Sequence, residues 1–443
     1  MELIRRLYFT RFLYYALAAA TGLFLLAFFF PALLLLAKVL FFVLVLLVLV
    51  DMAALFNRQE GLLAQRTMAE KLSNGSDNPI FIHLENRYPF GLRVEVIDEL
   101  PFQFQKRDAS FFLRLPGGQS QLLEYTLRPL QRGLYAFGAI NVLASGPLQL
   151  VRRRYRFARD QAVPVYPSFI QMRQYELLAA SHRLSELGIK QVRQPGHSQE
   201  FEQIRAYVVG DDQRNINWQA SARKAELMVN HYQDEKSQQV YCLIDKGRVM
   251  QMPFEGLSLL DYAINAALVV ANIAIKKQDK AGVITFAETI GQILPAEGKV
   301  SQIQKILDLL YKQQTRFLET DFEKLYIRVR SRIRQRSLLL LFTNFETLNG
   351  AHRQLPYLRK LARHHLLLVV FFENTQTRDL LLKPVSNTEE IYFKAIAEKF
   401  AYEKRQIVKE LSRHGIQSIL TPPEKLTVNT INKYLEFKAR GLI

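Results

Sequence analysis

Cysteine is nearly absent. Cys242 stands alone in 443 residues, which excludes an intramolecular disulfide framework and any CxxC metal ribbon. Its place inside the apolar run VYCLI marks it as a buried small hydrophobe rather than a nucleophile. The phosphate-cradling GxxxxGK[ST], the nucleophile elbow GxSxG and the zinc motif HExxH are also missing. The eight histidines are scattered: His364 and His365 are adjacent and so point different ways, and His197 and His231 have no evident nucleophile beside them. Acidic residues are in short supply, 41 against 59 basic, for a net charge of +18. Such an excess favours phospholipid headgroups, nucleic acid or an acidic protein surface as partners. A nucleic-acid or lipid binder driven by that charge would lose affinity steeply with salt.

Charge is missing altogether from most of the N-terminal region. Between Phe12 and Val50 only Lys38 is charged, and as helix this stretch would be about 58 Å long, roughly twice the hydrocarbon thickness of a bilayer. Pro31 lies near its middle, so two transmembrane helices are expected at about 12–30 and 32–50, with a tight turn between. A cleaved signal peptide would be shorter and end in a small-residue site. Arg5, Arg6 and Arg11 precede the first span, and Arg58, Arg66 and Lys71 follow the second, so the positive-inside rule puts both ends in the cytoplasm. The competing reading, one long tilted span, would export everything after it.

Beyond a short connector at 57–75 the pattern changes. PIFIHLEN, LRVEVIDEL, SFFLRL, QLLEYTLRPL and YAFGAINVL are short, rich in β-branched and aromatic residues, and separated by Pro/Gly turns, as in a β-sandwich. VRRRYRFAR follows them; a solvated face is its default reading and contact with an anionic leaflet the functional one. Then apolar strand runs (QQVYCLID, KAGVITFAE, SLLLLFTNFE, HLLLVVFFEN, IQSILT) alternate with helical segments, implying a mostly parallel α/β sheet covered on both faces. The arginines of RVRSRIRQR fan around the exposed arc of a helix, because Phe322, Leu325, Val329 and Ile333 keep helical spacing. The expected organisation is multidomain: a transmembrane helical hairpin (1–56), a β-sandwich (57–165), a connector (166–236) and an α/β domain (237–443).

The connector contains VVGDDQRNINWQASARK, with adjacent acids and Trp218, the only tryptophan. Asp211 and Asp212 could be a general acid and base of a hydrolase-like enzyme. They could equally belong to a structural clasp, in which Asp211 accepts a forked bond from Arg205, Arg214 or Arg223, Gly210 permits the turn, and Trp218 covers the cluster. With no nucleophile or competent metal group nearby, the clasp is preferred and no catalytic residue is assigned.

GHSQEFEQIRAYVVGDDQRNINWQASARKAELMVNHYQDE (196–235) resembles the signature of the domain of unknown function 58 family, the MoxR-associated proteins. Glu200, Phe201, Arg205, Tyr207, Gly210, Asp211, Arg214, Ile216, Trp218, Ser221, Ala222 and Arg223 match its pattern. LEYTLRPLQRGLYAFGAINVLASGPLQLVRR (123–153) resembles the family's sandwich segment. The resemblance implies a multi-pass protein of the bacterial inner (cytoplasmic) membrane with a von Willebrand factor A-like, Rossmann-like domain from about 236. It further implies a role in assembling or maturing a client protein beside a MoxR-type AAA+ ATPase; no cofactor and no nucleic-acid partner are expected. The usual A-domain metal site is DxSxS plus a threonine and an aspartate from later loops, giving Mg²⁺ its oxygen shell. Here Asp245 and Thr320 match, but Gly247 and Val249 replace both serines and Asn344 replaces the acid, so no metal is expected. Lys246 or Arg248 would then attract a partner's acid, making Asp245, Lys246, Arg248, Thr320 and Asn344 the candidate partner-binding residues.

Overall fold

The computed structural model describes residues 6–105, 109–157, 161–180, 200–209, 211, 213–233, 237–382 and 387–442. The chain divides into two units, Met1–Tyr166 and Pro167–Ile443.

In the first unit, strand β1 (Leu7–Phe9) leads into helices α1 (Arg11–Phe29) and α2 (Leu33–Phe56). Both are long and apolar enough to cross a membrane. The second runs six residues past the expected Val50; its last turns leave the apolar stretch and dock on the sheets that follow. Those sheets are built from β2 (Leu62–Thr67), β3 (Leu72–Ser73), β4 (Asn78–Asn86), β5 (Leu92–Asp98), β6 (Ser110–Leu115), β7 (Ser120–Leu127), β8 (Gly133–Phe137), β9 (Ile140–Ser145), β10 (Val151–Phe157) and β11 (Gln161–Tyr166). They form sheets in the orders β1-β10-β9-β5-β6, β2-β4-β7 and β3-β11-β8. Along β4, Ile80, Ile82 and Leu84 point inward at period two and are fully buried. Ile82 and Leu84 join Val94, Val96 and Val142 in one core, whereas Ile80 belongs to a second with Tyr135 and Val165.

Residues 151–157 of the run VRRRYRFAR form β10, and its arginines do not share one solvated face. Arg153 is buried: its guanidinium donates to the carbonyls of Leu55 (2.6 Å), Arg58 (2.6 Å) and Gln59 (3.0 Å) and lies over the rings of Phe56 and Tyr155. A cation thus satisfies one carbonyl in the last turn of α2 and two just beyond its end. Just before this strand, the amides of Leu150 and Val151 donate to Asp51 Oδ2 at 3.0 and 3.1 Å, while Thr10 Oγ1 donates to Gln149 O at 2.5 Å. The start of α1 and the end of α2 are therefore tied to the same edge, as a hairpin requires.

The second unit opens with α3 (Phe169–Ala180), inside the expected connector but packed on the helix Leu259–Lys276, whose Asn272 and Lys276 donate to Glu176. Then come β12 (Glu200–Ala206), α4 (Trp218–Lys224), β13 (Met228–Gln233), β14 (Gln239–Asp245), the short pair β15 (Pro253–Phe254) and β16 (Leu257–Ser258), α5 (Leu259–Lys276), β17 (Lys280–Phe286), β18 (Ile290–Glu297), α6 (Ser301–Tyr311), α7 (Phe322–Arg332), β19 (Leu338–Phe342), α8 (Leu348–His364), β20 (Leu366–Phe372), α9 (Thr375–Leu382), α10 (Thr388–Arg413), β21 (Gln417–Thr421) and α11 (Leu426–Ala439). Helix α5 meets the same hydropathy criterion as the N-terminal helices, yet nearly all of it is buried; a capping box of Ser258 and Asp261 starts it. Arg334 and Arg336 fall beyond the end of α7, so only the first three arginines of that run lie on the helix.

The six-stranded sheet has the order β18-β17-β14-β19-β20-β21, parallel except for the antiparallel edge β18. Strands buried on both faces need unbroken apolar runs, which VYCLI, LLLLF and LLLVVFF supply. The chain builds outward from β14 in one direction through β17 and β18, then returns to β14's other side with β19. The crevice at such a reversal, beyond the carboxyl ends of the strands, is where open α/β sheets bind ligands. Asp245 ends β14 there, and Thr343 and Asn344 follow β19.

Candidate functional site

Two places carry the residues singled out above. The first is the hairpin β12–β13. Arg205 donates to Asp211 Oδ1 at 2.6 Å, and the Val208 amide donates to Oδ2 at 3.0 Å. Arg205 and the Val208 amide are thus among the groups that hold Asp211. Arg223 is exposed; of Glu200 and Arg214 only the backbone is described, and Gly210 and Asp212 lie outside the described residues. Tyr207 pairs by backbone with Leu227 at 2.8 Å.

Helix α4 is fastened by two residues. Asn217 caps it, accepting from the Ala220 amide at 2.9 Å and donating to Asn230 Oδ1 at 2.8 Å. The Ser221 hydroxyl donates to Asn217 O and accepts from the Met228 amide, both at 2.8 Å. Trp218 does not cover the clasp: it is 71% exposed. One residue along a helix is about 100° around it, so the step from Asn217, which faces the hairpin, turns the indole to solvent. Val209 is 96% exposed and Val208 58%. Asn217 and Asn230 went unnoticed in the sequence, although Asn before a short helical run is a capping signal.

The second place is the carboxyl edge of the sheet. Asp245 is fully buried. Its Oδ1 accepts from the Thr320 hydroxyl (2.6 Å) and the Gly247 amide (2.8 Å), its Oδ2 from the Thr343 hydroxyl (2.7 Å). Burial pushes its pKa up, while these bonds oppose the shift. Thr343 takes the position expected of Asn344, whose Oδ1 instead accepts from Lys404 Nζ at 2.6 Å. The side chains of successive residues diverge where a strand ends.

Lys246 does not face this crevice. Half-buried, it lies towards Glu288 and Arg316, and burial and the neighbouring Arg316 lower its pKa against the pull of Glu288. Arg248 is exposed and borders a small cavity of about 100 Å³ with Asp245, Thr320 and Thr343.

These residues do not fit a divalent cation. Both oxygens of Asp245 are already engaged, the two hydroxyls donate to it, and the Asn344 oxygen is held by an ammonium that would repel the ion. A β-carbon at Gly247 would run into the Thr320 hydroxyl, so the serine of the usual motif has no room. Among the described residues, no cluster of three or more His, Cys, Asp or Glu could hold a metal. Burial pushes the Cys242 thiol up to about 12, far from the thiolate that reactivity needs.

The model of the family described as "Protein of unknown function DUF58" matches residues 203–380. "Uncharacterized protein YeaD" of Bacillus subtilis (strain 168) is 26% identical over 182 residues, 40% of this chain and 45% of that protein. The chain thus spans less than half the length of that relative. Among solved structures, the conserved hypothetical protein BatB from Bacteroides thetaiotaomicron superposes with a TM-score of 0.30 at 11% identity, over 46% of this chain and 100% of that one. The CARDB domain of a Pyrococcus furiosus protein gives 0.18 at 16% identity, over 24% and 91%. Scores this low bear on neither fold nor function.

Proposed function

Because residues 203–380 make this chain a member of the DUF58 family, we propose that it is a membrane-anchored, non-catalytic adaptor acting through protein contact. In this reading the hairpin α1–α2 crosses the bacterial inner membrane twice, and everything from residue 57 onward faces the cytoplasm. The sheet of the second unit is a von Willebrand factor A-type domain that has discarded its metal. Its partners are a MoxR-type AAA+ ATPase and a client protein.

The observation that carries the reading is the saturation of Asp245 by Thr320, Thr343 and Gly247. An acid whose lone pairs are met by its own chain holds the strand ends together instead of activating water or a metal-bound substrate. The exposed Trp218, Val208 and Val209 support a protein-binding role, since exposed aromatic and apolar side chains serve as interface anchors. Tying Thr10 and Asp51 to the same edge supports two crossings over one.

Affinity purification from native membranes, followed by mass spectrometry with and without EDTA, tests the reading. The ATPase and a client should be recovered equally in both. Recovery of neither, or loss with EDTA, would contradict it.

A further inference from the structure

We propose that a cavity of about 590 Å³ at the carboxyl ends of β20 and β21 binds an organic carboxylate with an apolar body. Phe254, Leu259, Phe372, Leu381, Phe400 and Leu420 form its apolar walls. Lys404 lies one helical turn beyond Phe400 on α10, on the same face. Lys404 is half-buried. It donates to the neutral Asn344 Oδ1 at 2.6 Å and lies 5.6 Å from the Phe371 ring centre. Among the described residues, no carboxylate stands within ion-pair distance of it.

A half-buried cation without a counter-ion is partly uncompensated, and the arrangement selects what could relieve it. A cation would be repelled. A neutral apolar molecule would fill the walls and leave the ammonium as it is. A small inorganic anion would pair with the ammonium and leave the aromatic walls unused. A carboxylate on an apolar body meets both demands. Arg378 and Arg405 border the same cavity, as do the exposed Glu346 and the Glu373 that follows β20. The first turn of α9 also borders it, through Asn374 and Thr377, adding the partial positive charge of a helix start. Burial lowers the Lys404 pKa to about 7 against the pull of Glu346; a bound carboxylate would restore the full charge. The volume suits a small ligand, either a free acid or an apolar C-terminal residue of a peptide.

The test uses the full chain in lipid nanodiscs, titrated calorimetrically with 4-phenylbutyrate, its amide, and N-acetyl-Gly-Gly-Phe as free acid and as amide, with empty nanodiscs as blank. At least one acid should bind below about 1 mM, with its amide and the Lys404→Met chain each weaker by about tenfold or more. Phe400→Ala should weaken it several-fold. Tighter binding of the peptide acid would identify a protein C-terminus as the source, and tighter binding of phenylbutyrate a free acid. Equal binding of acid and amide, unchanged binding by Lys404→Met, or no binding of either acid would overturn the inference. Methionine keeps most of the apolar stem and removes only the charge, so folding should not be impaired and loss in Lys404→Met reports on the site. The inference does not depend on the adaptor reading and survives a failure to recover an ATPase.

Discussion

Asp245 and Lys404 both bring charge to the carboxyl edge of one sheet, and the fold treats them oppositely. The aspartate meets three donors from its own chain; the lysine meets one neutral acceptor and an aromatic ring. Burying a charge costs free energy unless hydrogen bonds and opposite charge compensate. Where compensation comes from within, as at Asp245, the group has become part of the scaffold. Where it is incomplete, as at Lys404, the group stays available to something from outside. Charge at a sheet edge is therefore a poor guide to function until its partners are counted.

Substitutions at the two charges should therefore behave differently. The largest effect should come from Asp245→Ala, which strands two hydroxyls and an amide in a buried place and should destabilise by about 3 kcal/mol, seen as a clear fall in Tm. A Tm within a degree of wild type would mean the hydrogen-bonded cluster is not structural. Gly247→Ser comes next: its β-carbon collides with the Thr320 hydroxyl, so a cost of about 1–3 kcal/mol is expected, with no gain of Mg²⁺ affinity even when Val249→Ser and Asn344→Asp are added.

Lys404 should show itself in pH dependence. Its pKa is lower folded than unfolded, so the unfolded chain holds the proton more tightly, and stability should rise with pH from about 7 towards the ordinary lysine value of about 10.4. In Lys404→Met this component of the rise should vanish; identical pH profiles would show that the ammonium is solvated. The smallest stability effect belongs to Trp218→Ala. An exposed indole should contribute within about 0.5 kcal/mol, while recovery of the partner proteins falls sharply. A large drop in Tm with recovery unchanged would restore the covering role that the sequence suggested.

How far the sequence could be read depended on the range of the interactions. The apolar helices α1 and α2 and the buried parallel strands announce themselves, because a continuous apolar run is a local signal. YAFGAINVL looked like one strand and is two, parted at Gly138, where a β-carbon would strike Glu99; that contact is invisible along the chain. The edge strand β18, IGQILPAE, was missed since an antiparallel edge containing Pro295 and largely half-buried gives neither a full alternation nor a full apolar run. Asp245 and Thr320 were found through a family pattern. Thr343 was overlooked for its neighbour Asn344, an error of one residue that exchanges which side chain reaches the acid. Nothing distinguished Lys404 among the many charges of α10, because the packing of α9 and of the segment around Phe254 is what encloses it.

The most direct test of the central claim, that the carboxyl edge is sealed by its own hydroxyls and works without a metal, is a calorimetric titration of the full chain with Mg²⁺ at neutral pH. No saturable heat is expected up to about 1 mM Mg²⁺. A saturable site of micromolar affinity that disappears in Asp245→Ala would contradict the account.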